Sequence, residues 1–283
     1  MTAGQHNSTE KPLSPHRHIS FTAHYTGYIW FLLGISHPAL TSSKGKRLAT
    51  LLHPLETLAE RFVGGSMRST LKLRHRLIDR QLDQLIAKHP DLQVVEIAAG
   101  LSPRGWRYRQ KHADVNYLEA DLPDMAQIKQ QALQELGQPY ARVIGVDLFS
   151  PEFASSLQQL DSNKPLLIIS EGLVNYFTKD SLQQLWQVIS SNLKHFPQGY
   201  YLTDLYPEPV KHKLAKLIWN SSKLLKFLSK SAFAFHFVSP QEVTAFFKTS
   251  GFKQAVVYQP RDDNNPANPE HLGDLVWVIQ AQV

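Results

Sequence analysis

Short apolar runs alternate with helix-length segments from Leu92 onwards, and this rhythm limits the possible folds most strongly. Seven of these runs suit buried strands: Val94–Ala98, Val115–Leu118, Ala141–Val146, Leu166–Ser170, Tyr200–Leu205, Val256–Tyr258 and Leu275–Ile279. Segments of helical length lie between them, notably Pro123–Leu136, Pro151–Leu160, Lys179–His195 and Pro240–Thr249. The alternation predicts βαβ units and therefore an α/β fold with a mostly parallel sheet. Only an irregular loop, Gln259–Gly273, joins the last two runs, so we expect those two strands to be antiparallel.

The part of the chain before Leu92 has a helical pattern instead. Two apolar stripes, Leu48–Phe62 and Leu71–Ile86, repeat at spacings of three and four residues. We expect residues 19–90 to form a helical cap that precedes a sheet domain of residues 91–283. The polar residues 1–18 are expected to be a flexible tail.

Composition excludes several classes of protein. The chain has 283 residues, of which 42% are hydrophobic, so it can fill a core and is neither disordered nor collagen-like. Its formal charge of +6 is concentrated in residues 44–80, with nine basic and three acidic residues, and in residues 211–230, with six lysines and no acid. The sequence has no zinc-finger spacing and no aromatic RNA-binding signature. Solvated faces of amphipathic helices therefore explain this charge better than nucleic-acid binding does.

Cysteine content and hydropathy exclude several kinds of site and segment. The absence of Cys excludes disulfides, a thiolate nucleophile and Cys-based metal sites, and no paired-His ligand motif suggests a metal. The apolar run Tyr28–Ile35 is far shorter than the ~20 residues of a membrane-spanning helix. Residues 1–18 lack the apolar region of a signal peptide. We predict a cytoplasmic protein without a transmembrane segment.

The turn after the first strand has the features of a nucleotide-binding site. Ligands bind doubly wound sheets at the carboxyl ends of the strands, and Gly100 has no Cβ to keep a ligand away. Asp121 follows about 20 residues later, where an acid can hold ribose hydroxyls, although it could instead cap the helix that starts at Leu122-Pro123. The glycine spacing does not match the three-glycine dinucleotide fingerprint, so an NAD-dependent enzyme is disfavoured.

Five motifs occur together in a characteristic order: Arg74-His75-Arg76-Leu77-Ile78-Asp79, Glu96–Gly100, Glu119–Pro123, Val146–Phe149 and Leu167–Phe177. Together they resemble the leucine carboxyl methyltransferase family, which includes polyketide-tailoring O-methyltransferases that use S-adenosylmethionine. The resemblance covers about Ser20 to Phe177. It implies a class I methyltransferase Rossmann-like fold, with a seven-stranded mostly parallel sheet and helices on both faces. It also implies an N-terminal helical lid and a helical insertion, residues 211–238, after the fifth strand.

The resemblance assigns cofactor roles to particular residues. It implies that Arg74, with Arg76 as a competitor, pairs with the methionine carboxylate, a task suited to a guanidinium fork. Asp121 matches the ribose-binding acid, and Glu171 matches the acid near the methionine portion and its ammonium group. Asp147 matches a residue beside the adenine. The complete set of expected cofactor residues is Arg74, Glu96, Ala98, Gly100, Asp121, Leu122, Asp147, Leu148 and Glu171.

The acceptor side is less well defined. The segment Ser20–Leu40 resembles the family's lid, on which His24, Tyr25 and Tyr28 share one side by spacing. The residues expected to take part in catalysis are Tyr176 and His24, and those expected to bind substrate are Tyr25, Tyr28, Tyr206 and His236.

Three positions depart from the family pattern. Ala98 replaces a glycine, Ser102-Pro103-Arg104 replaces an Asp-Thr-Arg turn, and Trp30 replaces an arginine of many members. The first two are compatible with backbone contacts to the cofactor. The third leaves the class of acceptor open.

The predicted function is O-methylation of a carboxylate or an acidic hydroxyl of a small, anionic molecule by positioning catalysis. The alternatives are a non-catalytic regulatory subunit that keeps the fold and, less favoured, an NAD-dependent oxidoreductase. The lysine-rich residues 211–230 could lie on the core, cover an acidic acceptor, bind a partner helix or contact a membrane surface. The oligomeric state is left open.

Overall fold

The structure is a computed structural model that describes residues 20–63, 67–208, 234–259 and 276–283. Its strands are β1 Gln93–Ile97, β2 Asn116–Asp121, β3 Arg142–Gly145, β4 Leu166–Ser170, β5 Gly199–Leu205, β6 Gln254–Tyr258 and β7 Trp277–Gln282. Its α-helices are α1 Ser20–Leu32, α2 Ser43–Val63, α3 Met67–Lys88, α4 Arg104–Lys111, α5 Pro123–Glu135, α6 Pro151–Leu157, α7 Lys179–Leu193 and α8 Pro240–Thr249. Two short 3-10 turns lie at Pro38–Leu40 and Val174–Tyr176.

Each predicted strand is present, with small shifts of its ends. The largest shift is at β7, predicted over Leu275–Ile279 and observed over Trp277–Gln282. Helix α4 was not predicted, because its eight residues are mostly basic or glycine and bury few apolar side chains. What holds α4 in place is polar, since the side chain of Arg104 is completely buried.

The seven strands form one sheet in the order β3-β2-β1-β4-β5-β7-β6. Strands β1 to β5 are parallel, and β7 runs antiparallel to both β5 and β6. The predicted antiparallel pairing of the last two strands is therefore confirmed. The order reverses between β1 and β4, so the carboxyl ends of these two strands form the switch point where ligands bind in such sheets.

Apolar side chains cover both faces of the sheet. On one face, α7 and α8 contribute Trp186 and Phe247, whose rings stack at 3.9 Å between centroids. On the other face, α3 buries Leu77 and Leu82 against strand residues such as Val94. Helix α3 can do this because its apolar residues recur at helical spacing, as predicted, while Lys72, Arg76 and Arg80 stay exposed.

Helix α1 crosses α2 and reaches the turn after β1. The crossing is close because Gly45 of α2 lies against the backbone of α1 at His24, where a Cβ would collide with the carbonyl. On its other side, α1 places Ala23 over Gly100 and Gly27 over Leu101. The first helix therefore covers the glycine turn directly. The proposed division into a cap of residues 19–90 and a sheet domain of residues 91–283 stays a prediction.

Candidate active site

The turn that leaves β1 is built from left-handed backbone. Ala98 and Gly100 have φ angles of 50° and 49°. Asp121 at the end of β2 accepts hydrogen bonds from the N–H groups of Gly100 and Leu122, both at 2.7 Å. Burial raises the pKa of the Asp121 carboxyl, and these two backbone bonds partly offset that effect. One of these bonds comes from Leu122, the N-cap residue of α5, and the other from the glycine turn, so Asp121 joins the start of α5 to that turn.

A buried lysine supports the same turn from beneath. Lys129 of α5 donates to the carbonyl of Ser102 at 2.5 Å and pairs with Glu119 at 2.7 Å. Glu119 also pairs with Arg109 at 2.7 Å, so its charge is balanced although it is completely buried. Lys129 was not selected from the sequence. The sequence feature that could have identified Lys129 is its spacing, because it lies one helical turn after Met125 on the buried side of α5.

Arg74 enters the site from α3 and meets the ends of β4 and β5. Its Nε donates to Oε1 of Glu171 at 2.9 Å, and its Nη1 donates to the hydroxyl of Tyr206 at 3.2 Å. A Cβ at Gly172, where φ is 71°, would lie 3.0 Å from Nη1. Arg74 is buried, whereas Arg76 is exposed on the other side of α3. The fold therefore brings Arg74, of the two arginines, to the switch point.

Glu171 is the centre of a buried ion network. Its Oε2 accepts from Nη2 of Arg104 at 2.5 Å and lies 2.9 Å from Nδ1 of His75. Burial alone would raise the pKa of this carboxyl, but His75, Arg104 and Arg74 outweigh that effect and hold it well below its ordinary value. Both carboxyl oxygens of Glu171 are thus bound by protein groups.

Arg104 joins this network to β1 and α3 and was not among the predicted site residues. Its Nη1 donates to Glu96 and its Nε donates to Asp79, each at 2.7 Å. The second oxygen of Glu96 accepts from the hydroxyl of Tyr117 at 2.7 Å. Glu96 is therefore in the predicted region but has both oxygens occupied by protein side chains. The sequence feature that could have identified Arg104 is that the turn Ser102-Pro103-Arg104 keeps the arginine of the family pattern although its first two residues differ.

Asp204 lies at the end of β5 beside Arg74. Its Oδ1 accepts from the N–H of Gly172 at 2.6 Å, and its Oδ2 lies 3.5 Å from Nη1 of Arg74. Within the described ranges, Oδ2 is buried without a hydrogen-bond partner. Burial raises the pKa of Asp204 to about 6. Asp204 is not among the predicted site residues, because an acid at the end of a strand has no distinctive sequence pattern until its neighbours are known.

The residues expected beside the adenine follow β3. The N–H of Val146 donates to the carbonyl of Asp121 at 2.7 Å, which places this segment next to the ribose candidate. Asp147 accepts from the N–H of Phe149 at 3.0 Å, and Leu148 is buried. The structure thus groups Asp147 and Leu148 with Asp121 and the glycine turn.

Tyr176 and Tyr206 lie near Arg74. Burial raises the pKa of Tyr176, and it raises the pKa of Tyr206 to about 12. Both phenols therefore hold their protons at neutral pH, and the hydroxyl of Tyr206 accepts from Arg74. Nε2 of His236 lies 2.7 Å from the carbonyl of Phe177, which only an N–H at that nitrogen can satisfy. Its Nδ1 is then the basic nitrogen.

Three residues predicted on the lid do lie on α1, but on the side of the helix that faces away from the sheet. His24 has its Nδ1 2.9 Å from Oγ of Ser42, and Tyr25 and Tyr28 pack in a small cluster with Ile29 between α1 and α2. Their spacing does put them on one side of the helix, but that side faces α2. The side that faces the sheet carries Ala23, Gly27 and Trp30. Their roles in binding or catalysis stay predictions.

The functional predictions for residues 1–18 and 211–230 lie outside the described residues. Among the helices that are described, none combines the length and apolar character needed to span a bilayer. The same part of the chain holds no group of three or more His, Asp or Glu side chains placed to bind a metal ion.

Residues 37–190 match the sequence model of the leucine carboxyl methyltransferase family. The chain belongs to this family. It is 28% identical over 132 residues to the tetracenomycin polyketide synthesis O-methyltransferase TcmP of Streptomyces glaucescens. This match covers 46% of this chain and 45% of that enzyme. It is 27% identical over 145 residues to leucine carboxyl methyltransferase 1 of Candida albicans. This second match covers 40% of this chain and 39% of that enzyme. The matches thus span less than half of these curated relatives.

A solved structure supports the fold. A Thermobifida fusca protein assigned to the methyltransferases superposes with a TM-score of 0.63 at 14% identity, covering 92% of this chain and 93% of that one. The predicted class I methyltransferase fold and the predicted family are both confirmed. The alternative of an NAD-dependent oxidoreductase is not supported.

The cofactor of this family, S-adenosylmethionine, fits the residues at the switch point. Asp121 places a carboxylate beside the glycine turn, which fits the predicted ribose ligand. Arg74 places a guanidinium at the switch point, which fits the predicted ligand of the methionine carboxylate. Asp204 has a buried oxygen without a hydrogen-bond partner in the described part of the chain, as expected where a ligand is to bind.

Proposed function

We propose that this protein is an S-adenosylmethionine-dependent O-methyltransferase that acts on a carboxylate or an acidic hydroxyl of a small molecule. The observation that carries the proposal is the arrangement of Asp121 and Arg74 on either side of the turn after β1, in a member of a methyltransferase family. One residue suits the ribose of the cofactor and the other suits its methionine end.

The bound cofactor supplies a methyl group that is already electrophilic. The protein then has to hold the acceptor oxygen in line with that methyl group, and positioning alone can be worth several kcal/mol. A carboxylate is ionised at neutral pH and needs no base. The protonated phenols Tyr176 and Tyr206 can orient such an acceptor by donating hydrogen bonds.

A hydroxyl acceptor would need a general base, which typically contributes about 10²–10⁴-fold. His236 is the group best suited to that task. Burial lowers its pKa, so its ring is neutral at pH 7.5 and Nδ1 is available as an acceptor. Replacing His236 should therefore affect methylation of a hydroxyl but not methylation of a carboxylate.

The proposal includes an anionic acceptor and a cytoplasmic location. The support for an anionic acceptor is in the sequence, namely the six lysines without an acid in residues 211–230. The cytoplasmic location stays a prediction. The names of the two relatives refer to different acceptors. One is named for polyketide synthesis, and the other is named for a leucine carboxyl group. A small molecule is the acceptor we favour.

The test is transfer of labelled methyl groups from S-adenosylmethionine to an extract of the source cells, with products separated by size. Label released by mild alkali as methanol indicates a methyl ester, and alkali-stable label on oxygen indicates a methyl ether. We expect small-molecule label with wild-type protein and none with Asp121→Asn. The exposed variant Asp161→Asn is the matched control and should behave as wild type.

The variant His236→Gln separates the two acceptor classes. It should leave ester formation within about threefold of wild type, but should slow ether formation by about 10²-fold or more. Label found only on amines would refute O-methylation. Cofactor binding without any transfer would favour the non-catalytic subunit.

A further inference from the structure

The buried side chain of Lys129 connects the glycine turn with the ion pairs between β2, α4 and α5. We propose that Lys129 is a positioning residue that prepares Asp121 to bind the ribose hydroxyls of the cofactor, by fixing the turn after β1 and by placing a positive charge near this carboxylate. The inference rests on the proposed function, and it adds to the site a residue that acts on the cofactor only through another side chain.

Lys129 holds the turn from one side, and Asp121 holds it from the other. Nζ of Lys129 donates to the carbonyl of Ser102 at 2.5 Å and lies 3.5 Å from the carbonyl of Gly100. The N–H of Gly100 donates to Asp121 at 2.7 Å. Because glycine has more backbone freedom than other residues, these contacts on both sides of Gly100 keep its N–H directed at the carboxylate.

The charges around Lys129 balance only when Asp121 is included. Glu119 pairs with Lys129 and with Arg109, each at 2.7 Å, so two cations share one buried carboxylate. Burial would raise the pKa of Glu119, but the two cations outweigh that effect and hold it below its ordinary value. One positive charge is left over, and a buried charge without a partner is costly. The cluster therefore favours the ionised form of Asp121.

The ionised form is the one that can bind ribose. Each carboxylate oxygen has two acceptor sites, and the N–H groups of Gly100 and Leu122 occupy one site on each oxygen of Asp121. The remaining sites are free to accept from hydroxyl groups, whereas a protonated carboxyl offers fewer and weaker acceptor sites. Burial raises the pKa of Asp121, and the two backbone bonds and Lys129 act against that rise.

The elements around Asp121 carry several other charged groups. They are Glu96 on β1, Glu119 on β2, Arg109 on α4, Asp124 on α5, Asp147 after β3 and His24 on α1. Among the described residues, Lys129 is the buried cation whose charge lowers the pKa of Asp121. A substitution of Lys129 leaves all the other groups in place, so a change in the pH dependence of binding reports on Lys129.

The experiment compares two ligands by calorimetry between pH 4.5 and 8, namely S-adenosylhomocysteine and an analogue that lacks both ribose hydroxyls. Wild-type protein should prefer S-adenosylhomocysteine by about 10- to 100-fold at pH 7.5, as expected for hydrogen bonds to a charged group. This preference should fall on acidification, as Asp121 takes up a proton. In Lys129→Met the fall should have its midpoint about one pH unit higher, because an opposite charge nearby lowers the pKa of a carboxyl by 1–3 units.

Three further variants serve as controls. Arg109→Met is the matched control, because it also takes one cation from Glu119, but the described bonds of Arg109 go to Glu119, Gln138 and Tyr117 and not to the turn. It should keep the wild-type midpoint, and so should Lys129→Arg, which keeps the charge. Lys129→Gln removes the charge but keeps a donor for Ser102, so it gives the same test with a polar side chain if the methionine variant does not fold.

Each outcome decides between the possibilities. A midpoint raised in Lys129→Met or Lys129→Gln, but not in Arg109→Met, supports the inference. Weaker binding of both ligands by the same factor, with the wild-type midpoint, would show that Lys129 has only a structural role and would overturn it. A wild type that binds both ligands equally would overturn it too. If the wild type binds neither ligand, the proposed function itself fails and this inference with it.

Discussion

Buried charges at the switch point show how individual residues share structural and binding tasks. Arg104 and Glu171 satisfy each other and their neighbours, so their main effect is to hold β1, β4 and α3 together. Asp204 differs because burial dominates its environment and, among the described residues, one of its oxygens has no hydrogen-bond partner. A buried carboxylate oxygen of this kind is unfavourable in the free protein.

Replacing Asp204 by Asn should therefore stabilise the ligand-free protein at neutral pH. The folded pKa of about 6 is above the ordinary value of 3.8, so the folded state holds this proton more tightly than the unfolded state does. The destabilisation is absent below about pH 4, grows as pH rises to about 6 and is complete above it. At pH 7.5 the free energy of unfolding of Asp204→Asn should exceed that of wild type by up to about 3 kcal/mol.

Urea unfolding at pH 7.5 and at pH 4 measures this difference, which should nearly vanish at the lower pH. Glu171→Gln is the matched control in the same cluster. It should lower stability at pH 7.5, because two arginines lose a shared partner. A less stable Asp204→Asn at pH 7.5 would contradict the prediction.

At the scale of elements, one buried side chain fastens two distant segments to the end of β4. Asn175 donates to the carbonyls of Tyr206 and Ala234 at 3.0 and 2.7 Å, and it accepts from the N–H of Tyr206 at 2.8 Å. Its own carbonyl accepts from the N–H of Ala234 at 2.8 Å. Asn175 thus holds the chain after β5 beside the chain before α8, close to Arg74 and Tyr206.

Asn175→Ala should destabilise the protein by about 2–4 kcal/mol, because three hydrogen bonds are lost and buried backbone groups lose their partners. The midpoint and slope of urea unfolding measure this effect. Asn192→Ala removes a single bond to Val188 at the exposed end of α7 and should change stability by about 0.5 kcal/mol or less. Equal effects of the two substitutions would show that Asn175 has no such role.

At the scale of the whole molecule, the surplus positive charge is unevenly placed. Within residues 44–80, Arg74 is buried in the site, while Lys46, Lys72 and Arg80 are exposed on helix surfaces. The other concentration of charge, residues 211–230, lies outside the described residues. An anionic acceptor would be attracted by cations near its site, and salt would screen that attraction.

The triple substitution of Lys223, Lys226 and Lys230 by Gln should raise KM for the acceptor by roughly 3- to 10-fold at low ionic strength, and by less at 0.5 M salt. Steady-state kinetics at the two salt concentrations measure the change. The matched control replaces Lys46, Lys72 and Lys248 by Gln, which removes the same charge from exposed positions. Equal KM values for both triple variants would mean that only net charge matters.

Much of the fold could be predicted because burial leaves a periodic pattern in the chain. The apolar residues of β1 to β7, and those repeated along α2 and α3, indicate which side chains face a core. The alternation of apolar runs with helix-length segments predicts the parallel sheet. Two features escaped this reasoning. Helix α4 is held by the buried charge of Arg104 and not by an apolar stripe, and β7 inserts between β5 and β6, which depends on long-range pairing.

By itself the sequence determined the α/β class, the family and the position of Asp121 beside the glycine turn, because these depend on local periodicity and on motifs within about 20 residues. Only the tertiary structure decided that Arg74 rather than Arg76 enters the site, and that His24 and Tyr28 face α2. It also decided that both oxygens of Glu171 are bound by protein groups, whereas one oxygen of Asp204 has no hydrogen bond within the described residues. Arg74 and Glu171 are 97 residues apart in the chain. The partners of a buried charge are chosen by packing between distant elements, and no local pattern encodes that choice.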